Sequence, residues 1–225
     1  MKKTMLLVFS GIMAVAVILS GCASWNKTQK GAVIGTAGGA ATGAVIGRAS
    51  GNTALGTIIG ATVGGVAGAV IGNQMDKQAK EIKEELPNAK VERVGEGIVV
   101  ELSDKVLFDF NKSDLTQTAQ NSLDKIIVVL NKYSDTDIEI QGHTDSKGTN
   151  AYNQTLSVNR ANSVSRYLTA KNIASSRLSV KGFGEEAPKY TNDTDEGRTQ
   201  NRRVEFLITA NEKMKAEAKK AAEGK

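Results

Sequence analysis

The sequence predicts an α/β fold, a β-α-β-α-β-β domain with a mixed four-stranded sheet, preceded by a helical hairpin of regularly spaced glycines. Between Lys90 and Ala210, short β-branched runs alternate with longer stretches whose apolar residues recur every three or four positions. Each β-α-β crossover implies parallel pairing and a right-handed connection, which puts the helices on one face of the sheet. Ahead of this domain, glycine recurs every fourth residue through a nearly uncharged stretch.

The chain opens as an export signal. Lys2-Lys3 precedes an apolar run from Met5 to Leu19 that ends on small residues. Leu19-Ser20-Gly21-Cys22 resembles the bacterial lipobox, which implies a signal peptide over 1–21 and a lipidated linker over 22–30. In that resemblance Cys22 carries a diacylglyceryl thioether, and its amine is acylated after cleavage. The alternative is an ordinary cleaved signal followed by a chance cysteine. Cys22 is the single cysteine, so in an oxidising compartment it has no intramolecular partner. Two or three acyl chains anchor stably where one is marginal. Ala23 and Ser24 lack the Asp that resembles an inner-membrane retention signal, which favours the periplasmic face of the outer membrane of a Gram-negative bacterium.

Residues 31–75 form the glycine ladder. Gly31, Gly35, Gly39, Gly43 and Gly47 keep one register, and Gly56, Gly60, Gly64, Gly68 and Gly72 keep another. Gly-Ala-Val-Ile-Gly occurs at 31, 43 and 68, and Arg48 is the only charge up to Gly72. On helices this period leaves smooth faces where two backbones can approach closely, with Arg48 to Thr53 as the turn between them. Three arrangements fit: a hairpin within the bilayer, a self-associating hairpin outside it, and a flexible spacer. Residues 76–90 are charged and helix-forming up to Pro87, and read as a solvated stalk.

In the domain itself, over 91–210, Ile98 to Leu102 reads as the first strand. Leu115, Ala119, Leu123, Ile126, Ile127, Leu130 and Tyr133 lie on one face of a helix, with Thr116 as its N-cap. Asp137 to Gln141 alternates as a half-buried strand, and Leu156, Ala161, Val164 and Leu168 mark the second helix. Leu178 to Val180 is the third strand. In the last strand Val204, Phe206 and Ile208 face one way. Residues 211–225 read as a charged tail.

Composition excludes several function classes. Of the net charge of +5, Lys2 and Lys3 supply two; the tail, with five Lys against three Glu, supplies two more. The remaining body is almost neutral and carries no basic stripe of the kind that tracks phosphates, so no nucleic-acid partner is expected. One Cys and one His leave no set of zinc ligands, and no cofactor is expected.

Residues 142–148 form a polar turn after a strand, and Asp145 precedes Arg160 by fifteen positions through a segment that becomes helical. Such a path can return Arg160 to the strand end, setting a carboxylate and a guanidinium at one site. That pairing suits a ligand with an ammonium and a carboxylate on one carbon, since guanidinium grips carboxylate with two parallel bonds. A structural Asp145–Arg160 salt bridge would fit the spacing equally well. By themselves Asn153 reads as a helix N-cap or turn former, and Arg202 and Arg203 as a solvated strand end. His143 is placed on the side of Asp145. A His143–Ser146 catalytic pair would need closer approach than a tight turn gives, so His143 reads as a hydrogen-bonded turn residue.

The stretch resembles the OmpA-like C-terminal domain family through Val106-Leu107-Phe108-Asp109-Phe110, Ile140 to Gly148, Asn153 to Ser157, Arg160-Ala161, Gly182 to Glu185 and Gly197 to Glu205. The whole arrangement resembles the YiaD-type glycine-zipper lipoproteins. The resemblance implies a non-enzymatic peptidoglycan binder that recognises meso-diaminopimelate in stem peptides. Asp145 would hold the ammonium and Arg160 the carboxylate, Asn153 and Arg202 would line the pocket, and the backbone of Phe110 to Lys112 would close it. The expected partners are peptidoglycan, the bilayer through Cys22, and a second copy through the zipper. A scaffold acting through the zipper is the alternative, and a peptidoglycan hydrolase a remoter one.

Overall fold

A computed structural model describes residues 63–109 and 111–224. Its elements are α1 (Gly65–Glu85), β1 (Lys90–Val94), β2 (Gly97–Ser103), the short α2 (Asp104–Leu107), α3 (Gln117–Lys132), β3 (Thr136–His143), α4 (Asn150–Ala170), β4 (Leu178–Gly182), α5 (Asp195–Asn201), β5 (Arg203–Ala210) and α6 (Glu212–Glu223). A 3-10 turn, Ser175–Arg177, leads into β4. Cys22 and the glycines from Gly31 to Gly60 lie outside the described residues.

The sheet has five strands rather than four, in the order β1-β2-β5-β3-β4. The added strand is Lys90 to Val94, which turns at Gly95 and pairs antiparallel with β2. β3 and β4 pair in parallel across α4, as expected of a crossover. β2 and β3 do not pair, because β5 inserts between them and runs antiparallel to both. One sheet face buries Ile98, Val100, Ile138, Ile140, Phe206 and Ile208 beneath the helices. The other carries a small cluster of Val99 and Leu207, with buried polar groups beside it.

The helix ends follow from their sequences. Thr116 Oγ1 accepts from Ala119 N at 3.0 Å and Thr149 Oγ1 from Tyr152 N at 3.2 Å, each satisfying a donor that the first turn leaves open. Neither the stalk nor the tail stands free. α1 buries Ile71, Met75, Ala79 and Ile82 in the main core. α6 is capped by Asn211, buries Met214 and Ala218, and packs on α1. Both segments are dense in charge, but each keeps one apolar stripe, and burial of that stripe decides their place.

The second glycine ladder is also interrupted. Gly64 and Gly65 have φ of 69° and 63°, so the helix begins at Gly65 and does not run unbroken from Gly56 to Gly72. The Glu96 carboxylate, from the β1–β2 turn, accepts from Val63 N at 2.8 Å and Gly64 N at 3.1 Å. A Cβ on Gly68 would collide with that carboxylate. At this end of the ladder, glycine therefore admits the β1–β2 turn. Among the described residues no helix is long and apolar enough to cross a membrane.

Candidate functional site

Ser103, Arg203 and His143 meet in register at one end of the sheet. Three chain segments leave or enter there, and they deliver Asp104, Asp145 and Arg202 side by side. α4 passes across this end, with Asn153 and Arg160 seven residues apart and so on one helix face. Gly142 and Gly182 let α4 approach, since a Cβ on Gly142 would strike the Ser157 carbonyl and one on Gly182 the Ser157 and Val158 side chains. Asp145, Asn153, Arg160 and Arg202 all line one cleft of about 370 Å³, together with Asp104 and Tyr152.

The charges pair differently from the simple opposition of Asp145 and Arg160. The Arg202 guanidinium donates to Asp145, and its Nη2 donates to Thr199 Oγ1 at 2.9 Å. Arg160 Nη2 lies 3.1 Å from Asp104 Oδ1, an ion pair without hydrogen-bond alignment. Arg160 Nε donates to the Lys112 carbonyl at 3.0 Å, and the guanidinium lies 5.1 Å from the Phe108 ring centroid. Arg202 Nε stands 3.8 Å from Asp104 Oδ2. The result is an alternating series, Asp145, Arg202, Asp104, Arg160. Asp145 and Arg160 share the cleft without forming the salt bridge that their spacing also allowed.

Asp104 escaped the sequence reading, because a single Asp at a strand end reads as a solvated cap and its partners are remote in sequence. It is buried. Burial raises its carboxyl above the usual range, and Arg160 and Arg202 only partly oppose that. Burial also lowers Arg160, against the pull of Asp104. Desolvation outweighs pairing at both ends of this contact, as expected for buried ions without full complements of hydrogen bonds.

Asn153 is a second-turn residue of α4 and not an N-cap, which is Thr149. Its Nδ2 donates to the Asp145 carbonyl at 3.2 Å and to the Glu185 carboxylate, fixing the loop that presents Asp145. Of the two arginines, Arg202 faces the cleft. Arg203 is buried elsewhere, donating to Glu205 Oε1 at 2.7 Å and to the Ala187 carbonyl at 3.2 Å. The loop expected to close the pocket contributes Asn111, which lines it with φ of 59°, and the Lys112 carbonyl.

His143 departs from its expected role. It is buried, stacks on Phe183 with ring centroids 5.2 Å apart, and neither ring nitrogen has a hydrogen-bond partner among the described residues. Burial, reinforced by Arg203, pushes its pKa down to about 3. Ser146 is exposed, so the two do not form a nucleophilic pair.

The family described as OmpA family matches residues 107–202, and the YMGG-like Gly-zipper family matches residues 1–76. The probable lipoprotein YiaD of Escherichia coli is 33% identical over 137 residues, 60% of this chain and 63% of that protein. The outer-membrane lipoprotein YfiB of Pseudomonas aeruginosa is 36% identical over 115 residues, 51% of this chain and 68% of that protein. The solved cell wall anchor of the Pseudomonas aeruginosa T6SS superposes with a TM-score of 0.54 at 27% identity, covering 61% of this chain and 97% of that one. The chain spans 16% of the length of one curated relative it matches and 68% of another. A shared fold, the matched blocks around the cleft and the lipoprotein relatives agree: the chain belongs to the OmpA family.

Proposed function

We propose that the cleft binds the ammonium-carboxylate centre of meso-diaminopimelate in peptidoglycan stem peptides, and that the chain tethers the outer membrane to the cell wall without catalysing a reaction. One observation carries this reading: two carboxylates and two guanidiniums alternate around a single cleft at the sheet end. A zwitterion of matching span can exchange into such a series, its ammonium meeting Asp145 and its carboxylate meeting Arg160. Charged hydrogen bonds contribute roughly 1.5–3 kcal/mol each, which gives a reversible grip. The similar T6SS protein is a cell wall anchor, which supports the class of partner. Acylated Cys22 would supply the other end of the tether, in the periplasmic leaflet of the outer membrane. Self-association through the glycine ladder is part of the proposal, as a means of clustering tethers.

The test is co-sedimentation of the full chain with purified sacculi. Wild type should pellet, and Asp145→Ala or Arg160→Ala should remain in the supernatant while keeping the wild-type circular dichroism. Sacculi with lysine in place of diaminopimelate lack the second carboxylate and should not retain the protein. Retention of both variants at wild-type levels would refute the assigned site. For the anchor, Cys22→Ala should abolish incorporation of labelled palmitate.

A further inference from the structure

The cleft and the entry of the chain lie at opposite ends of the sheet. Ser103, Arg203 and His143 mark the cleft end; the β1–β2 turn, with Ala210 and Thr136, marks the other. Glu96 in that turn holds Val63 and Gly64, so α1 begins there. The buried side of its first turns carries Ala67 and Ile71. Its outer side is apolar too: Val66 is 59% exposed and Val70 39%, with Ala69 exposed between them. A helix on a water-facing surface ordinarily turns polar residues outward, and α1 does so only from Asn73 onward, with Lys77 exposed a turn later.

α6, which packs on α1, carries further exposed lysines. It starts at the corner where Asn211 N donates to the Asp135 carbonyl and Lys213 pairs with Asp135, beside Tyr133, which donates to Glu81 near the far end of α1. Its stripe of Met214, Ala218 and Ala222 packs into the core shared with α1. At about 1.5 Å per residue α6 is roughly 18 Å long, and Lys219 and Lys220 stand exposed on its outer side. Upstream, Gly31 to Thr62 holds one charge, Arg48, in a stretch made mostly of Gly, Ala, Val, Ile and Thr. The exposed valines therefore sit where an apolar stretch of chain joins the domain.

We infer that this end of the domain rests on a lipid surface, with Val66, Ala69 and Val70 entering the interfacial layer and Lys77, Lys219 and Lys220 meeting anionic headgroups. Apolar residues flanked by lysines are what an interfacial contact requires. Three small apolar side chains, Val66, Ala69 and Val70, offer far less area than a stable contact with a second copy buries. The orientation that follows, with the cleft pointed away from the bilayer, rests on the wall-binding reading; the lipid contact itself does not.

The test uses the acylated full chain in vesicles of phosphatidylethanolamine and phosphatidylglycerol, with a fluorophore on Val70→Cys and bromolipids as quenchers. Labels at Val128→Cys, on exposed α3, and Tyr152→Cys, at the cleft, serve as references. Quenching should be several-fold stronger at position 70 than at either reference, and should fall to their level when Val66→Asp is added or phosphatidylglycerol is omitted. Equal quenching at all three positions would overturn the inference, as would cross-linking of position 70 to a second copy. Failure of sacculus binding with quenching retained would refute the wall reading and leave the lipid contact standing.

Discussion

Arg160 is confined on three sides, by the Lys112 carbonyl, by Asp104 and by the Phe108 ring, and that confinement sets what a substitution there should do. Arg160→Lys keeps the charge and loses the planar fork, so sacculus binding should weaken by about 10- to 100-fold, the equivalent of one charged hydrogen bond, and the melting temperature should fall by a few degrees as the bond to the Lys112 carbonyl is lost. The buried His143 gives a pH prediction whose sign is fixed. Its folded pKa is about 3 against an ordinary 6.5. Between those values the unfolded chain holds a proton that the folded one does not, so stability falls as pH drops through the window. At about 1.4 kcal/mol per unit the loss approaches roughly 4 kcal/mol at the acid end. His143→Phe should flatten the dependence of melting temperature on pH over that range. That Asp145, Asn153, Arg160 and Arg202 would gather at one cleft was legible because each stands in a contiguous motif. Asp104 was not, since its meaning comes from Arg160 and Arg202, which only the fold brings beside it.

α3 and α4 could be read from the spacing of their apolar residues, although α4 also buries Asn153, Ser157, Arg160 and Ser163. The helix of α1 was legible too, but its burial and that of α6 were not, because lysines and glutamates crowd around the few residues that pack. Ile82 shows the consequence: it lies in a run that looks solvated, yet it is fully buried. Ile82→Ala should therefore destabilise the domain by about 2–5 kcal/mol in chemical unfolding, where a free stalk would show no change. β1 was missed for a related reason, since of its five residues only Val91 is buried. The glycines divide in the same way. Gly142→Ala must displace the α4 backbone at Ser157 and should cost at least about 1–3 kcal/mol. Gly72→Ala meets nothing nearer than Arg93 Nη2 at 4.0 Å and should gain up to about 1 kcal/mol from helix propensity.

At the scale of the whole molecule, the sheet order is the feature that local pattern does not encode, because the insertion of β5 between β2 and β3 depends on pairings remote in sequence. The domain is also larger than its motifs suggest. A fragment starting at residue 90 lacks Ile71, Met75 and Ile82 from the main core, so it should unfold at lower denaturant concentration than the full chain. Glu96 has a further, mechanical consequence. A chain pulled between a held cleft and a held N-terminus is loaded along its strands, and inter-strand hydrogen bonds lie across that direction. The ladders of β2, β5 and β3 then share the load in parallel. α1 lies outside those ladders, held by the Glu96 clasp at its start and by Ile71, Met75, Ala79 and Ile82 in the core. Tension from the N-terminus meets those contacts one turn at a time, so α1 would peel away before the ladders shear, and its 21 residues would lengthen from about 31 Å as a helix to roughly 70 Å extended. The Glu96 clasp would be the first contact broken, and the unwinding of α1 would release about 40 Å of slack before the grip on the far end is strained.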